Sequence, residues 1–384
     1  MGVIDLDAGA TTQMLPEVRA AVTALLEGGL LGNPSSDHLL GATAANLLSA
    51  ARANVARLVD ADFEQVVFTS GATEAINLGV QGVVRRNRSS VPNIVATRTE
   101  HSAVLNVLRY LERCRVVDVT WVEVDGYGSV TAQDIEAMLS PETAMVCVIH
   151  GNNEIGTINP VDEIGHVIKQ EAPHAVYLVD AVQTSGYGLI SMRECKADLV
   201  VVSAHKMHGP PGVGALCIRD RHRVAPLLLG GGQEFGARPG TENLLGIVGF
   251  GKAAELAVRD RVARTGFVTD LRDMFWHQLL SEFEECKLNG HPSDRLPGNL
   301  SITVSGLEAH LLQRSLRDKV AFTRSSACQS TSGLASHVLL AIGLSSLEAN
   351  STFRICLSET NSKDDVIAAA TTVGQQLKTL RGRR

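Results

Sequence analysis

The 384-residue chain is 45% hydrophobic and 20% charged, the proportions of an ordinary globular protein and not of a disordered one. Its 35 Lys and Arg against 41 Asp and Glu give a net charge of −6, so no global basic field exists and direct nucleic-acid binding is not expected. The longest apolar runs are strand-sized, far below the roughly 18 residues a membrane helix needs, so no membrane partner is expected either. At about 150 residues per domain, the length predicts two to three domains.

The first residues, Met1 to Asp7, lack the basic start and apolar core of a signal peptide. The 7 cysteines are scattered and form no Cys-x-x-Cys pair, which argues against a zinc ribbon or a disulfide framework. Reduced thiols, a cytoplasmic location and no metal site are expected.

Short runs rich in Val and Ile then alternate with amphipathic stretches. Strands are predicted over 65–69, 93–97, 115–122, 144–150, 175–179, 198–203 and 212–219. Helices are predicted over 72–85, 102–112, 131–139 and 160–171. This alternation predicts an α/β fold with a mostly parallel sheet, covered on both faces where runs such as Leu199-Val200-Val201-Val202 are apolar throughout. A long helical pattern spans 245–284. After it come a strand (299–304), a helix (308–317), a strand (320–323) and two further helices. We expect a large domain over 14–250. A smaller α+β domain should be formed by 251–384 with the first residues, 1–13, packed against it.

In open parallel sheets, ligands bind beyond the carboxyl ends of the strands. Five polar clusters follow predicted strands directly: Ser70-Gly71-Ala72-Thr73, Glu100-His101, Asn152-Asn153-Glu154, Asp180-Ala181-Val182-Gln183 and Ser203-Ala204-His205-Lys206. All five should converge on one rim. The first sits at a helix start, where backbone N–H groups and Thr73 can hold a phosphate, although a plain N-cap reads the same way. Asp180 could hold a proton on a pyridine nitrogen or simply cap a helix. Lys206 follows the next strand; a lysine in such a pocket can form a Schiff base, whereas an exposed loop lysine is the alternative. An acid after one strand and a lysine after the next match what pyridoxal phosphate requires. His101 could stack on a cofactor ring and move protons, or be a satisfied helix-start residue.

The glycine-rich stretch 230–242 lacks both dinucleotide and nucleoside-triphosphate fingerprints, but Thr241 could reach a phosphate. Cys328 sits in a run of small polar residues, Arg324-Ser325-Ser326-Ala327-Cys328-Gln329-Ser330, where an accessible thiol beside Arg324 favours the thiolate. Arg354 lies in an apolar strand-like run; it needs an anion, either a substrate carboxylate or a structural ion-pair partner.

Taken in order, these motifs resemble the cysteine desulfurases of the NifS/IscS type in the class V aminotransferase group, with a fainter likeness to DndA-type members. The resemblance covers nearly the whole chain, from Leu6-Asp7-Ala8-Gly9-Ala10-Thr11-Thr12 and Gly32-Asn33-Pro34-Ser35-Ser36 to Ser325-Ser326-Ala327-Cys328. It implies the type I fold of pyridoxal-phosphate-dependent transferases and pyridoxal 5'-phosphate as cofactor. Lys206 is then the Schiff-base lysine, His101 stacks over the ring as a further catalytic group, and Asp180 pairs with the ring nitrogen. Gln183 and Asn153 lie near the ring hydroxyl or the substrate. Ala72, Thr73, Ser203 and His205 hold the phosphate, with Thr241 reaching in from a second subunit of a homodimer. Arg354 grips the carboxylate of L-cysteine, with Asn33 and Asn153 beside it. Lys206 moves the Cα proton, the Cys328 thiolate takes the sulfur, alanine leaves, and the persulfide passes to an acceptor protein for iron–sulfur cluster assembly or DNA phosphorothioation.

This sequence departs from the family pattern at several places. Ala8-Gly9 replace a Tyr and a polar residue, Ser358-Glu359 replace a frequent Gly-Arg, and Pro239 resembles selenocysteine lyases as much as desulfurases. Selenocysteine lyase, a plain class V aminotransferase and a non-catalytic sulfur-transfer scaffold are the competing readings.

Overall fold

The computed structural model describes residues 2–28, 32–87, 91–324 and 335–382. A seven-stranded sheet forms the centre of the molecule. Its spatial order is Val66–Thr69, Gly214–Ile218, Leu199–Ser203, Val176–Asp180, Thr143–Ile149, Asn93–Thr97 and Asp118–Val122. Gly214–Ile218 runs antiparallel to both neighbours, and every other pairing in the sheet is parallel. Successive side chains alternate between two cores, as the pleat demands. Val200 and Val202 enter one apolar cluster, and Leu199 and Val201 the other. Helices cover both faces, which is why these strands are apolar throughout.

The predicted strands agree with the observed ones to within a residue or two at most ends. The exception is 115–122, which begins only at Asp118 because Arg115 takes a left-handed turn, φ 57°. Helices Ala72–Arg86, Ser102–Arg113 and Val161–Glu171 match expectation. The helix expected over 131–139 is shorter, Ala132–Glu136, closed at its start by a reciprocal Thr131–Asp134 cap. Two helices, Pro16–Glu27 and Leu39–Leu58, come without a forecast. Half of the second helix's buried residues are Ala or Gly (Gly41, Ala44, Ala51, Ala56), and they thin the apolar stripe that Leu48, Val55 and Leu58 form.

The 39-residue helix Leu244–Glu282 joins two cores. Leu244 to Ala257 pack with the central sheet, and Val268, Leu271, Phe275 and Leu279 pack in a separate cluster. That second core lies on a four-stranded antiparallel sheet, in the order Thr323–Arg324, Thr352–Cys356, Asn299–Thr303 and Lys287–Asn289. The N-terminus belongs to it: Ile4–Asp5 pairs in parallel with Val320–Ala321, and Leu6 is fully buried there. The strand expected over 320–323 is thus split between two sheets, with Phe322 buried at the break. Among the described residues no helix is long and apolar enough to cross a membrane.

The glycine-rich stretch after the sheet is fastened by charge. Arg52 binds both carboxylate oxygens of Glu234 at 2.7 and 2.8 Å, and Glu234 also accepts the Phe68 N–H at 2.8 Å. Glu234 and Phe235 both adopt left-handed backbone conformations, φ 49° and 59°, that this buried pair holds in place.

Phe275 is fully buried on the long helix. Phe275→Ala is expected to cost about 3–5 kcal/mol through cavity formation. Urea unfolding followed by tryptophan fluorescence checks this; an unchanged midpoint would contradict the packing described.

Candidate active site

The carboxyl ends of the parallel strands open into a cavity of ≈ 400 Å³. Residues from all five polar clusters line it: Gly71, Ala72 and Thr73; His101; Asn153 and Glu154; Asp180 and Gln183; Ser203, His205 and Lys206. Gly9 and Ala10 from the N-terminal segment and Arg354 from the smaller sheet close the far side. The convergence expected from strand direction is what the fold delivers.

Lys206 ends the single turn Ala204–Lys206 that follows strand Leu199–Ser203. Its Nζ donates to the carbonyls of Gly9 at 2.6 Å and Ala10 at 2.7 Å. The same turn is stitched to the N-terminal segment by the Thr12 N–H and hydroxyl, both donating to the His205 carbonyl. His205 itself meets the Thr11 hydroxyl at 3.2 Å, and burial together with Lys206 pushes its imidazole down to about 4.

Asp180 terminates its strand with a carboxyl that is 3% exposed. Its Oδ1 accepts the Val182 N–H at 3.1 Å. Burial raises its pKa above the usual carboxylate value, and nearby His101 pulls against that rise. His101 caps helix Ser102–Arg113: Nδ1 accepts the Ala103 N–H at 3.1 Å. A neutral ring therefore carries its proton on Nε2. Burial lowers the pKa of this histidine, while Asp180 raises it.

The preceding residue, Glu100, is fully buried. Its Oε1 accepts the Thr97 hydroxyl and the Ile149 N–H, both at 2.7 Å, and Oε2 has no partner among the described residues. Burial pushes this carboxyl up to about 8. Its backbone carbonyl lies 3.0 Å from His337 Nε2, and His337 also lines the cavity.

Arg354 is 2% exposed and sits opposite Ser301 in the smaller sheet. Its Nη1 donates to the Asn153 carbonyl at 2.7 Å and its Nη2 to Asp7 Oδ1 at 2.9 Å. Its Nε has no partner among the described residues. The ion-pair partner read for this arginine is thus present, and Arg354 also lines the cavity. Glu154, beside it, accepts the Ser336 hydroxyl at 2.5 Å and is pushed by burial up to about 7.

The cavity suits a phosphorylated aromatic aldehyde. No side chain caps helix Ala72–Arg86, so its first turn offers backbone N–H groups next to Ser203 and His205. Gly71 has φ 151° and open space where a Cβ would stand, which leaves room for a bulky anion. A buried acid and a lysine complete the donor set.

Two expected residues fall elsewhere. Asn33 is exposed and off the cavity, its side chain turned back to accept the Ser35 N–H at 2.9 Å. Thr241 is exposed and likewise off the cavity of its own chain. Cys328 lies outside the described residues. Conversely, Glu154, His337 and the Gly9–Ala10 carbonyls were given no role from sequence. Glu154 at least belonged to a strand-end cluster; nothing local marked His337.

A family model described as aminotransferase class-V matches residues 4–368. The chain belongs to the cysteine desulfurases of this family. It is 38% identical to a cysteine desulfurase of Trichormus azollae over 99% of this chain and 95% of that one. It is 39% identical to cysteine desulfurase IscS 1 of Archaeoglobus fulgidus over 87% of both. A solved NifS-like protein superposes with a TM-score of 0.91 at 31% identity, covering 99% of this chain and 100% of that one. A structure described as SspA in complex with cysteine superposes with a TM-score of 0.81 at 29% identity, over 93% of this chain and 99% of that one.

The raised Glu100 carboxyl has a thermodynamic consequence. Between its usual 4.5 and about 8, the unfolded state releases a proton that the folded state keeps, so this group costs stability as pH rises. Glu100→Gln removes that loss. Its stability relative to the unmodified protein should improve from pH 5 to pH 8, by up to about 1.4 kcal/mol per pH unit, in denaturant unfolding at several pH values. A difference independent of pH would show Glu100 ionised in the fold.

Proposed function

We propose that this desulfurase uses pyridoxal 5'-phosphate held by Lys206 to convert L-cysteine to L-alanine, with Cys328 taking the sulfur and passing it to an acceptor protein. The observation that carries the reading is that Asp180 and Lys206, at and just after the ends of neighbouring strands of the central sheet, and Arg354, from the middle of a strand in the smaller sheet, line a single cavity. The bound cofactor supplies an aldehyde for amines and an electron-poor ring that stabilises negative charge on a substrate carbon. The first-turn N–H groups at Ala72 and Thr73, with Ser203 and His205, hold its phosphate. Asp180 keeps the ring nitrogen protonated, and a buried carboxylate is well suited to that because its attraction is little screened. His101, Gln183 and Asn153 line the cavity, where His101 would lie against the ring and the other two would stand at the wall.

Arg354, on the cavity wall, takes the substrate carboxylate through its guanidinium, helped by Asn153 nearby. Lys206 Nζ, held by the Gly9 and Ala10 carbonyls, moves the proton at the substrate Cα. The thiolate of Cys328 attacks the substrate sulfur, and its neighbour Arg324 favours that ionised form. Thr241, exposed and remote from its own cavity, is available to a second copy of the chain, which supports a homodimeric enzyme. A soluble, cytoplasmic protein and a protein acceptor serving iron–sulfur assembly or DNA phosphorothioation complete the proposal.

Three variants test it. Lys206→Ala should abolish the cofactor's visible band and the borohydride-fixed adduct. Cys328→Ser should keep that band yet abolish sulfide release from cysteine; retained release would remove the thiol from the mechanism. Arg354→Lys should raise KM for cysteine about 10- to 100-fold, the equivalent of one charged hydrogen bond. Assaying selenocysteine alongside cysteine separates a desulfurase from a selenocysteine lyase.

A further inference from the structure

Beside the lysine turn, around Met207 and His208, three charged or polar side chains meet. His208 lies two residues after Lys206 and has a left-handed backbone conformation, φ 65°, which a β-carbon disfavours. Its N–H donates to the Thr12 hydroxyl at 2.7 Å, and its Nδ1 lies 2.8 Å from the Gln13 carbonyl. Its Nε2 lies 2.9 Å from Glu359 Oε2. The other oxygen of Glu359 is 2.7 Å from Nε of Arg264 on the long helix. Arg264 in turn donates from Nη1 to the Gly186 carbonyl at 3.0 Å, in a turn where a Cβ on Gly186 would press on Met207. The His208 and Arg264 side chains are each 4% exposed, and that of Glu359 is 19% exposed.

Met207 and His208, the two residues that follow the lysine, are thus held from both sides. Glu359 is the group common to both anchors, hydrogen-bonded to His208 and held to Arg264 by charge alone, since neither Glu359 Oε1 nor Arg264 Nε has a hydrogen-bond partner among the described residues. It also comes from the chain segment that supplies Arg354, so it links the wall that faces the substrate carboxylate to the turn that carries the amine. Most of the lysine turn's other contacts run to residues 9–13. Without the carboxylate, the buried His208 and Arg264 lose their common partner, and the strained His208 backbone has less to hold it.

We infer that Glu359 is a positioning residue for Lys206, acting through His208 and Arg264 to hold the lysine turn in the register that the reaction needs. This rests on Lys206 being the cofactor lysine. A small displacement of a reacting amine is costly to rate and does little to substrate binding, because binding is made elsewhere, at Arg354.

The test compares cofactor-loaded, full-length Glu359→Gln, Glu359→Asp, His208→Gln and the Glu359→Gln/His208→Gln double variant. Measurements are thermal midpoint, circular dichroism within the cofactor's visible band, and kinetics on cysteine. Glu359→Gln should diminish the visible circular dichroism and lower kcat about tenfold, with KM changed by less than about twofold. Glu359→Asp should recover part of both signals. The double variant should be no worse than the more impaired single one, since the two residues act as a unit. A Glu359→Gln protein with unaltered visible dichroism and kcat, whatever its thermal midpoint, overturns the inference. So does a double variant whose losses multiply. If the unmodified protein shows no visible band on loading, the Lys206 reading falls and this inference with it. A normal band that is indifferent to Glu359 defeats the inference alone.

Discussion

The shared direction of the parallel strands is the constraint from which the rest follows. A parallel strand must be re-entered by a crossover, so each strand in such a sheet ends at the same rim and is followed at once by a turn into a helix or loop. The five turns that carry Ser70 to Thr73, His101, Asn153 and Glu154, Asp180 and Gln183, and Ser203 to Lys206 therefore share one edge by geometry. The single reversed strand, Gly214–Ile218, matters too. It lies between Val66–Thr69 and Leu199–Ser203, so the Ser70–Thr73 turn and the lysine turn sit two strand positions apart with Pro211 and Gly212 between them at the cavity edge. Sheet order thereby fixes the spacing of the two turns to which the proposed function gives the cofactor's phosphate and aldehyde.

Burial then sets the chemistry of the groups the sheet has gathered. Asp180, Glu100 and Glu154 are all raised by desolvation, while His101, His205 and His337 are all lowered by it. Desolvation disfavours every charge, so the site as a whole drifts toward neutral forms. Arg354 is the exception: the pull of its anionic neighbours outweighs its burial and keeps its pKa above the usual value. Its partner Asp7 is still raised, because burial outweighs the pull of Arg354. An ion pair with one member so deeply buried is poor evidence for stability. Under the proposed function its use is pre-organisation: the guanidinium is desolvated when the chain folds, so a substrate carboxylate would meet a donor that no longer has to shed water.

The central sheet was legible in the sequence because its strands are apolar on both faces and end in polar clusters, a pattern with little ambiguity. The long helix was legible because apolar residues at helical spacing mark both of its halves, Leu244 to Ala257 and Val268 to Leu279. The helix Leu39–Leu58 was not, because Gly41, Ala44, Ala51 and Ala56 interrupt Leu48, Val55 and Leu58 on its buried face and thin the stripe. Site residues divide along the same line. Those placed immediately after strands, such as Asp180 and Lys206, could be inferred from position alone. Those brought in by the second core could not: Arg354 was found only as a cation in an apolar run, and His337, Gly9 and Ala10 are joined to the site by contacts far apart in sequence. Asn33 shows the converse risk, since a motif match set it in the substrate group while the structure turns its amide back onto Ser35.

The N-terminal segment explains how two cores yield one site. Residues 4–6 are bound into the smaller core by a two-residue parallel pairing and by Leu6, while residues 9–13 form a line of hydrogen bonds with the lysine turn. Between them, Asp7 holds Arg354. A single stretch of ten residues, from Ile4 to Gln13, thus touches both the Arg354 guanidinium and the Lys206 amine on the cavity wall. Any sliding of one core against the other must move both groups relative to this stretch, or break its contacts. The backbone carbonyls of Gly9 and Ala10 do the holding, yet glycine is wanted at position 9: a Cβ there would lie 2.5 Å from Cys356 Sγ and 3.4 Å from the Arg354 guanidinium carbon. The close approach of the Gly9 backbone to these side chains of the smaller sheet is what lets the two halves of the site share one cavity.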